Sequence, residues 1–147
     1  MELALRDPAV CERYIRECIA NGRTDVAKKV LEKIYDEGLI DKHRQAIIVA
    51  IKERSLLSSL RKIFVAALKR GLIEVAVAML SESEYQLRAK LLDELIVVRD
   101  KLPVLLKRLD ADTIADMMIH YSIHENEDLL ASCLDALKYS LDKHSIR

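Results

Sequence analysis

Apolar positions along this chain recur at steps of three and four, the spacing of one face of an α-helix. The first such face holds Cys11, Tyr14, Ile15, Cys18 and Ile19, with Asp7 as the expected N-cap and Pro8 as the first helical residue. Asn21-Gly22 ends it. Thr24 is expected to cap a second helix with Val26, Ala27, Val30, Leu31 and Ile34 inward, and Gly38 to stop it. Asp41 is the expected cap of a third. Its middle, Ala46-Ile47-Ile48-Val49-Ala50-Ile51, is apolar all round and so belongs at the centre of the molecule. Such a run also suits a buried strand, but its flanks, Lys42 to Gln45 and Lys52 to Arg54, hold no turn residues, which favours helix.

A fourth helix opens at Ser55 or Ser58 and runs through Phe64, Ala67 and Leu68 to Gly71. A fifth, from Leu72 to Leu80, is nearly all apolar. Ser83 and Gln86 have the spacing of a capping box before a sixth helix with Leu87, Leu91, Leu92, Leu95 and Val98 inward. Pro103 interrupts the chain ahead of a short segment, Val104 to Leu109. Asp112 is expected to cap the next helix, which carries Ile114, Met117, Met118 and Tyr121. The last runs from about Asn126 to Lys143 with a stripe of Leu130, Leu134, Leu137 and Leu141, and the tail His144 to Arg147 is expected to fray. That stripe either covers the core or pairs with a second chain; periodicity does not choose.

Composition supports an all-α reading. Only three Gly and two Pro occur in 147 residues, too few for the turns of an all-β or α/β fold. The expected architecture is a single domain, residues 1–147, of about eight helices arranged as stacked antiparallel hairpins, either a short α-solenoid or an irregular bundle. Its buried centre is expected at Ala46 to Ile51, Leu72 to Leu80 and Leu87 to Val98. Apolar residues make up 51% of the chain, enough to build a core without disulfides or metals.

Three cysteines, Cys11, Cys18 and Cys133, are an odd number without framework spacing, which argues for a reducing compartment and small core hydrophobes. No signal-peptide pattern opens the chain. The longest apolar run has six residues, where a bilayer span takes about 20, so the expected location is cytoplasmic. Four amides among many charged residues is a thermophile-like balance.

One pattern recurs. Gly22, Asp25, Val26, Ala27, Val30 and Leu31 have counterparts 49 residues later in Gly71, Glu74, Val75, Ala76, Met79 and Leu80. A fainter third copy starts at Glu125 and lacks both the Gly and the Ala. Each copy follows one helix and opens the next. Gly suits the left-handed corner, and the small Ala lets two helices cross closely. At these residues the chain resembles the tetratricopeptide-like and HEAT-like helical-repeat superfamily, whose hinge has Gly, an acid three residues on and Ala five residues on. The resemblance covers about ten residues per copy. Its interval of 49 departs from the 34 of tetratricopeptide units, and neither Trp nor a unit-closing Pro appears. It implies a stack of helical hairpins that binds other molecules.

Chemistry is sparse. His120 and His124 stand four apart and could reach one metal, but neither the Glu after the first His of a zinc protease nor the Glu three before His of a di-iron bundle is present. No glycine-rich phosphate loop occurs, and no cysteine or serine has a base beside it in sequence. No catalytic residue, cofactor or metal site is therefore assigned, and the chain is read as a non-enzyme.

Charge carries more. Net charge is zero, yet eight basic residues lie between Lys42 and Arg70 with Glu53 the only acid, and seven acids lie between Asp110 and Asp135 with no Lys or Arg. Self-association of basic on acidic parts, recognition of an acidic partner (protein or nucleic acid), and helices that simply show charge to water with the two stretches facing each other internally compete as explanations. The reading adopted is a protein-interaction or scaffolding module. Its expected partner-binding residues are Arg44, Arg54, Arg61, Lys62, Lys69 and Arg70, and its partner is an acidic protein surface or a second copy of the chain. Nucleic acid bound by the same stretch is the alternative, weakened by neutral charge and few aromatics.

Overall fold

The computed structural model describes residues 2–145, with side chains from 3 to 139. Among these residues there are no strands; the chain forms ten α-helices and two 3-10 turns rather than about eight helices. In order they are α1 (Glu2–Arg6), α2 (Pro8–Ala20), α3 (Thr24–Asp36), α4 (Arg44–Ala50), a 3-10 turn (Arg54–Leu56), α5 (Leu57–Lys69) and α6 (Ile73–Glu82). Then follow α7 (Tyr85–Val97), a second 3-10 turn (Arg99–Lys101), α8 (Leu102–Leu106), α9 (Ala111–Ile123) and α10 (Glu127–Ser145). The strand alternative for Ala46 to Ile51 falls, since Ala46–Ala50 lie inside α4. Helix α10 includes His144 and Ser145, where fraying was expected; the last two residues of the tail and the Leu141 side chain lie outside the described residues.

Caps follow the sequence where one carboxylate is available and shift where several compete. Asp7 caps α2 as expected, accepting from Ala9 and Val10 at 2.9 and 3.2 Å. The cap of α7 is Glu84, not Ser83: its carboxylate accepts from the backbone N–H groups of Gln86 and Leu87, while the Ser83 hydroxyl donates back to the Leu80 carbonyl. The cap of α9 is Asp110, not Asp112, and takes bonds from both the N–H and the hydroxyl of Thr113. Those hydrogen bonds hold the Asp110 carboxyl below its ordinary range, the Thr113 hydroxyl most strongly. Thr24 lies inside α3, and Asp41 lies in the turn before α4, paired with Arg44 rather than capping.

The two glycine corners have the same hydrogen bonds. At Gly22 (φ 71°) its own N–H reaches the Ile19 carbonyl and that of Arg23 reaches Cys18. At Gly71 (φ 75°) the matching bonds run to Leu68 and from Leu72 to Ala67. This is the Schellman closure, which consumes the last free carbonyls of a helix. Glu125, start of the faint third copy, makes the same closure at φ 57°, bonding to Ser122 while Asn126 bonds to Tyr121. A side-chain-bearing residue in that region costs about 1 kcal/mol or more. Glu125→Gly should accordingly raise stability by about 1 kcal/mol. Gly71→Ala should lower it by a similar amount through backbone strain alone, because an added Cβ meets nothing within 4 Å. Urea unfolding of the two variants tests both signs.

The main helix contacts follow two series. In one, α2 touches α4, α4 touches α6, α6 touches α8 and α8 touches α10; in the other, α3, α5, α7 and α9 touch in turn. Consecutive helices join the series at α2–α3, α5–α6, α6–α7 and α9–α10, and α1 rests on α2. Hydrogen bonds along the odd series, made by its helices or the turns beside them, link residues 32 or 33 apart from α3 through α5 to α7, then 27 to 29 apart between α7 and α9. The Gly22 corner leads from even to odd series and the Gly71 corner from odd to even. The 49-residue interval thus matches local corner shape and not equivalent places in the fold.

The buried core includes Ala46, Ile47, Ala50 and Ile51, then Val75, Ala76, Met79 and Leu80, then Leu87, Leu91, Leu92, Leu95 and Val98. Each of the three expected central segments still keeps a partly open side: Ile48, Val49 and Val77 are half-buried and Val97 is exposed. Cys11 and Cys133 are buried free thiols, pushed up to about 11 by loss of water.

Candidate binding groove

Helix α5 presents Ser58, Arg61, Lys62, Val65 and Lys69 along one side, at the three- and four-residue steps that keep side chains on one helix face. Helices α3 and α7 flank it. Between them lies a groove of about 600 Å³, bounded by Tyr35 at the end of α3 and Glu94 on α7 and floored partly by Val65 and Ala66. A smaller recess of about 310 Å³ continues from it, sharing Tyr35 and Lys62 and adding Glu32 and Asp36.

The structure brings together four of the six expected partner-binding residues. Arg61, Lys62, Lys69 and Arg70 line the groove, whereas Arg44 and Arg54 do not. Arg44 pairs with Asp41 at 2.7 Å, and Arg54 donates to the Gln86 side-chain oxygen at 3.0 Å. Within the groove, Arg61 gives two bonds to one oxygen of Glu94, at 2.6 and 2.8 Å, and so ties α5 to α7. Arg70 donates to the Gly38 carbonyl at 3.3 Å and ties α5 to the end of α3. Lys62 and Lys69 are exposed and make no ion pair among the described residues. Lys69 and Arg70 also stand at the carbonyl end of α5, where cations offset the helix dipole.

The sequence reading did not foresee Tyr35, Glu94, Glu32 or Asp36. Tyr35 is 41% exposed and is the aromatic wall of the groove. The three acids flank the basic row of α5 on both sides, so the surface is striped acid–base–acid rather than uniformly basic.

Internal pairing of the basic and acidic stretches is not what the fold does. Asp116 pairs with Arg88 at 2.6 Å and Asp128 with Arg99, and among the described residues no ion pair joins residues 42–70 to residues 110–135. His120 Nε2 donates to a carboxylate oxygen of Asp93 at 2.8 Å, and its ring centre lies 4.4 Å from that of His124. No cluster of three or more His, Cys, Asp or Glu suited to a metal occurs among the described residues. No described helix is long and apolar enough to cross a membrane. Comparison of the chain with protein-family models, characterised proteins and solved structures gave no match.

Proposed function

We propose that this chain is a short stack of helical hairpins, non-catalytic, whose groove along α5 holds an extended or helical acidic segment of a protein partner. The observation that carries the reading is the pair Lys62 and Lys69. Both face one groove, beside an exposed tyrosine and an apolar floor, and neither ammonium has a carboxylate partner among the described ion pairs. Concave surfaces between repeated helices are the usual binding faces of such stacks. The two contact series support the stack itself; along the odd one the interval is 32 or 33 residues from α3 to α7, close to the 34 of a tetratricopeptide unit, and 27 to 29 from α7 to α9.

Nucleic acid is the alternative occupant. Glu32, Asp36 and Glu94 at the groove's edges oppose it, because a phosphate backbone would meet carboxylates on both sides. A partner with an acidic ridge and basic margins suits the stripes better.

Fluorescence anisotropy with a labelled glutamate-rich peptide and with a single-stranded oligonucleotide separates the two. The peptide should bind and weaken with added salt as exposed charge pairs are screened. Lys62→Glu with Lys69→Glu should weaken it about tenfold or more, with helix content unchanged. Arg61 is left alone here, since reversing it would place two carboxylates together and loosen α5 from α7. Equal peptide binding by the variant, or tighter binding of the oligonucleotide, would sink the reading.

A further inference from the structure

The fold keeps the basic row of α5 apart from the acids of residues 110–135, and it leaves some of those acids unengaged. Asp116 and Asp128 are held by Arg88 and Arg99, whereas Glu125 and Glu127 are exposed and make no ion pair among the described residues. Both stand at the corner where α9 ends and α10 begins, and Ile123 beside them is 71% exposed. The corner is therefore an apolar tip followed by two carboxylates. Exposed Arg99, reaching Asp128, puts a cation at its margin. The shape of the corner is set by backbone bonds from Glu125 to Ser122 and from Asn126 to Tyr121, whose ring is fully buried. Such a pre-formed corner loses little freedom on binding. Glu125 holds the left-handed conformation at φ 57°, where Gly would sit without strain. Strained residues of this kind cluster at binding and switching sites.

We propose that the α9–α10 corner of one copy of this chain docks in the α5 groove of another. The inference rests on the reading of the groove given above and names its acidic segment as the chain's own. Charge complementarity decides the occupant. Lys62 and Lys69 of one copy take Glu125 and Glu127 of the next, and Ile123 covers the floor of Val65 and Ala66 beside Tyr35. Arg99 at the corner's margin answers the acids at the groove's edges, Glu94 on one side and Glu32 and Asp36 on the other. The two lysines stand two turns apart, roughly 10 Å along the axis. Their flexible four-carbon stems let both ammoniums converge on carboxylates two residues apart. Net charge is zero, so copies approach without overall repulsion, while the separated basic and acidic surfaces steer them into register. Groove and corner are different surfaces of one chain, so every copy offers both halves of the contact.

Light scattering on the full chain at low salt and about 100 µM, where even a micromolar contact is largely filled, should give a mass above 16.8 kDa that falls as salt is added. Glu125→Lys with Glu127→Lys should return the mass to 16.8 kDa, while its open groove still binds the labelled glutamate-rich peptide. The Lys62→Glu, Lys69→Glu variant should be monomeric too and should not hold the peptide. An equimolar mixture of the two double variants should associate again, since the reversed corner of one suits the reversed groove of the other. Glu125→Gly keeps the test open should the double corner variant lose helix content: it relieves the backbone yet should weaken association about threefold. A wild-type chain that stays monomeric but binds the peptide would overturn this inference and give the groove to another acidic protein. Failure of the folded corner variant to bind the peptide would instead remove the groove reading itself. Association that survives either charge reversal or is unchanged in Glu125→Gly, or a mixture that stays monomeric, would also overturn the docking of corner on groove.

Discussion

Tyr121→Ala should lower the free energy of unfolding by about 4 kcal/mol, close to the cost of deleting a buried aromatic ring elsewhere. Tyr121 is fully buried and is the largest such side chain among the described residues. Its hydroxyl donates to the Leu92 carbonyl at 2.9 Å, bridging α9 to α7. Burial pushes the phenol above its ordinary range, so it stays a neutral donor. Tyr121→Phe keeps the ring and removes only the bridge, which should cost about 1 kcal/mol, because Leu92 is an acceptor in a helix interior and loses a second bond rather than its sole one. The gap between the two variants, about 3 kcal/mol, measures the ring alone. Denaturant melts read both at once. A Tyr121→Ala loss under about 1 kcal/mol would mean that α9 does not pack on α7 as described.

The same residue shows how far sequence reasoning reached. Spacing puts Tyr121, Leu91 and Leu95 on apolar helix faces, and all three are buried. Periodicity reports which side of a helix meets the core, so it succeeds there. Corners were legible where Gly marks them, at Gly22, Gly38 and Gly71, because only Gly enters the left-handed region freely. The fourth corner is held by Glu125, which carries no such mark, and only the weak echo of the repeat pointed to it. Caps slipped by one or two residues where Ser83-Glu84 and Asp110 to Asp112 offer rival acceptors, since the choice depends on where the backbone turns.

What the sequence hid is which helix lies beside which. The repeat at 49 residues is a likeness of corners, whereas residues that face each other stand 33 apart between α5 and α7 and 27 to 29 apart between α7 and α9, a relation written in contacts such as Arg61–Glu94 and Arg88–Asp116 and not in any local pattern. The groove suffered similarly. Its basic character was plain, but Arg44, Arg54, Arg61 and Arg70 are engaged with Asp41, Gln86, Glu94 and Gly38, and most of those partners are distant in sequence. That leaves Lys62 and Lys69, of the six expected residues, without a partner among the described residues, a distinction no count of charges could make.

His43 controls the second large effect, which is set by pH. It precedes α4, has no exposed surface, and contacts the Leu5 carbonyl at 2.8 Å through Nε2, while Nδ1 has no partner. Leu5 lies in α1, whose five residues are too few to hold helix unaided. The imidazole is thus the polar tether of α1, with Nε2–H donating to an otherwise free terminal carbonyl. Burial lowers its affinity for a proton below the ordinary 6.5, the Leu5 carbonyl opposes this in part, and the charge of Lys42 adds the least, in the same direction as burial. The unfolded chain therefore takes up a proton first as pH falls. Stability is full above about 6.5 and is lost below it, down to the depressed value in the folded state. His43→Gln keeps a donor near the same place without the titration, so it should flatten this acid-side loss relative to wild type between pH 7 and pH 5. His43→Leu should flatten it equally yet cost about 2 kcal/mol at pH 7, because the Leu5 carbonyl is left unpaired. Hydrogen exchange at residues 3–6 localises the effect: those amides should exchange faster at pH 5 in wild type but not in His43→Gln. A parallel acid loss in wild type and His43→Gln would assign the titration to another group and leave α1 held by apolar contacts alone.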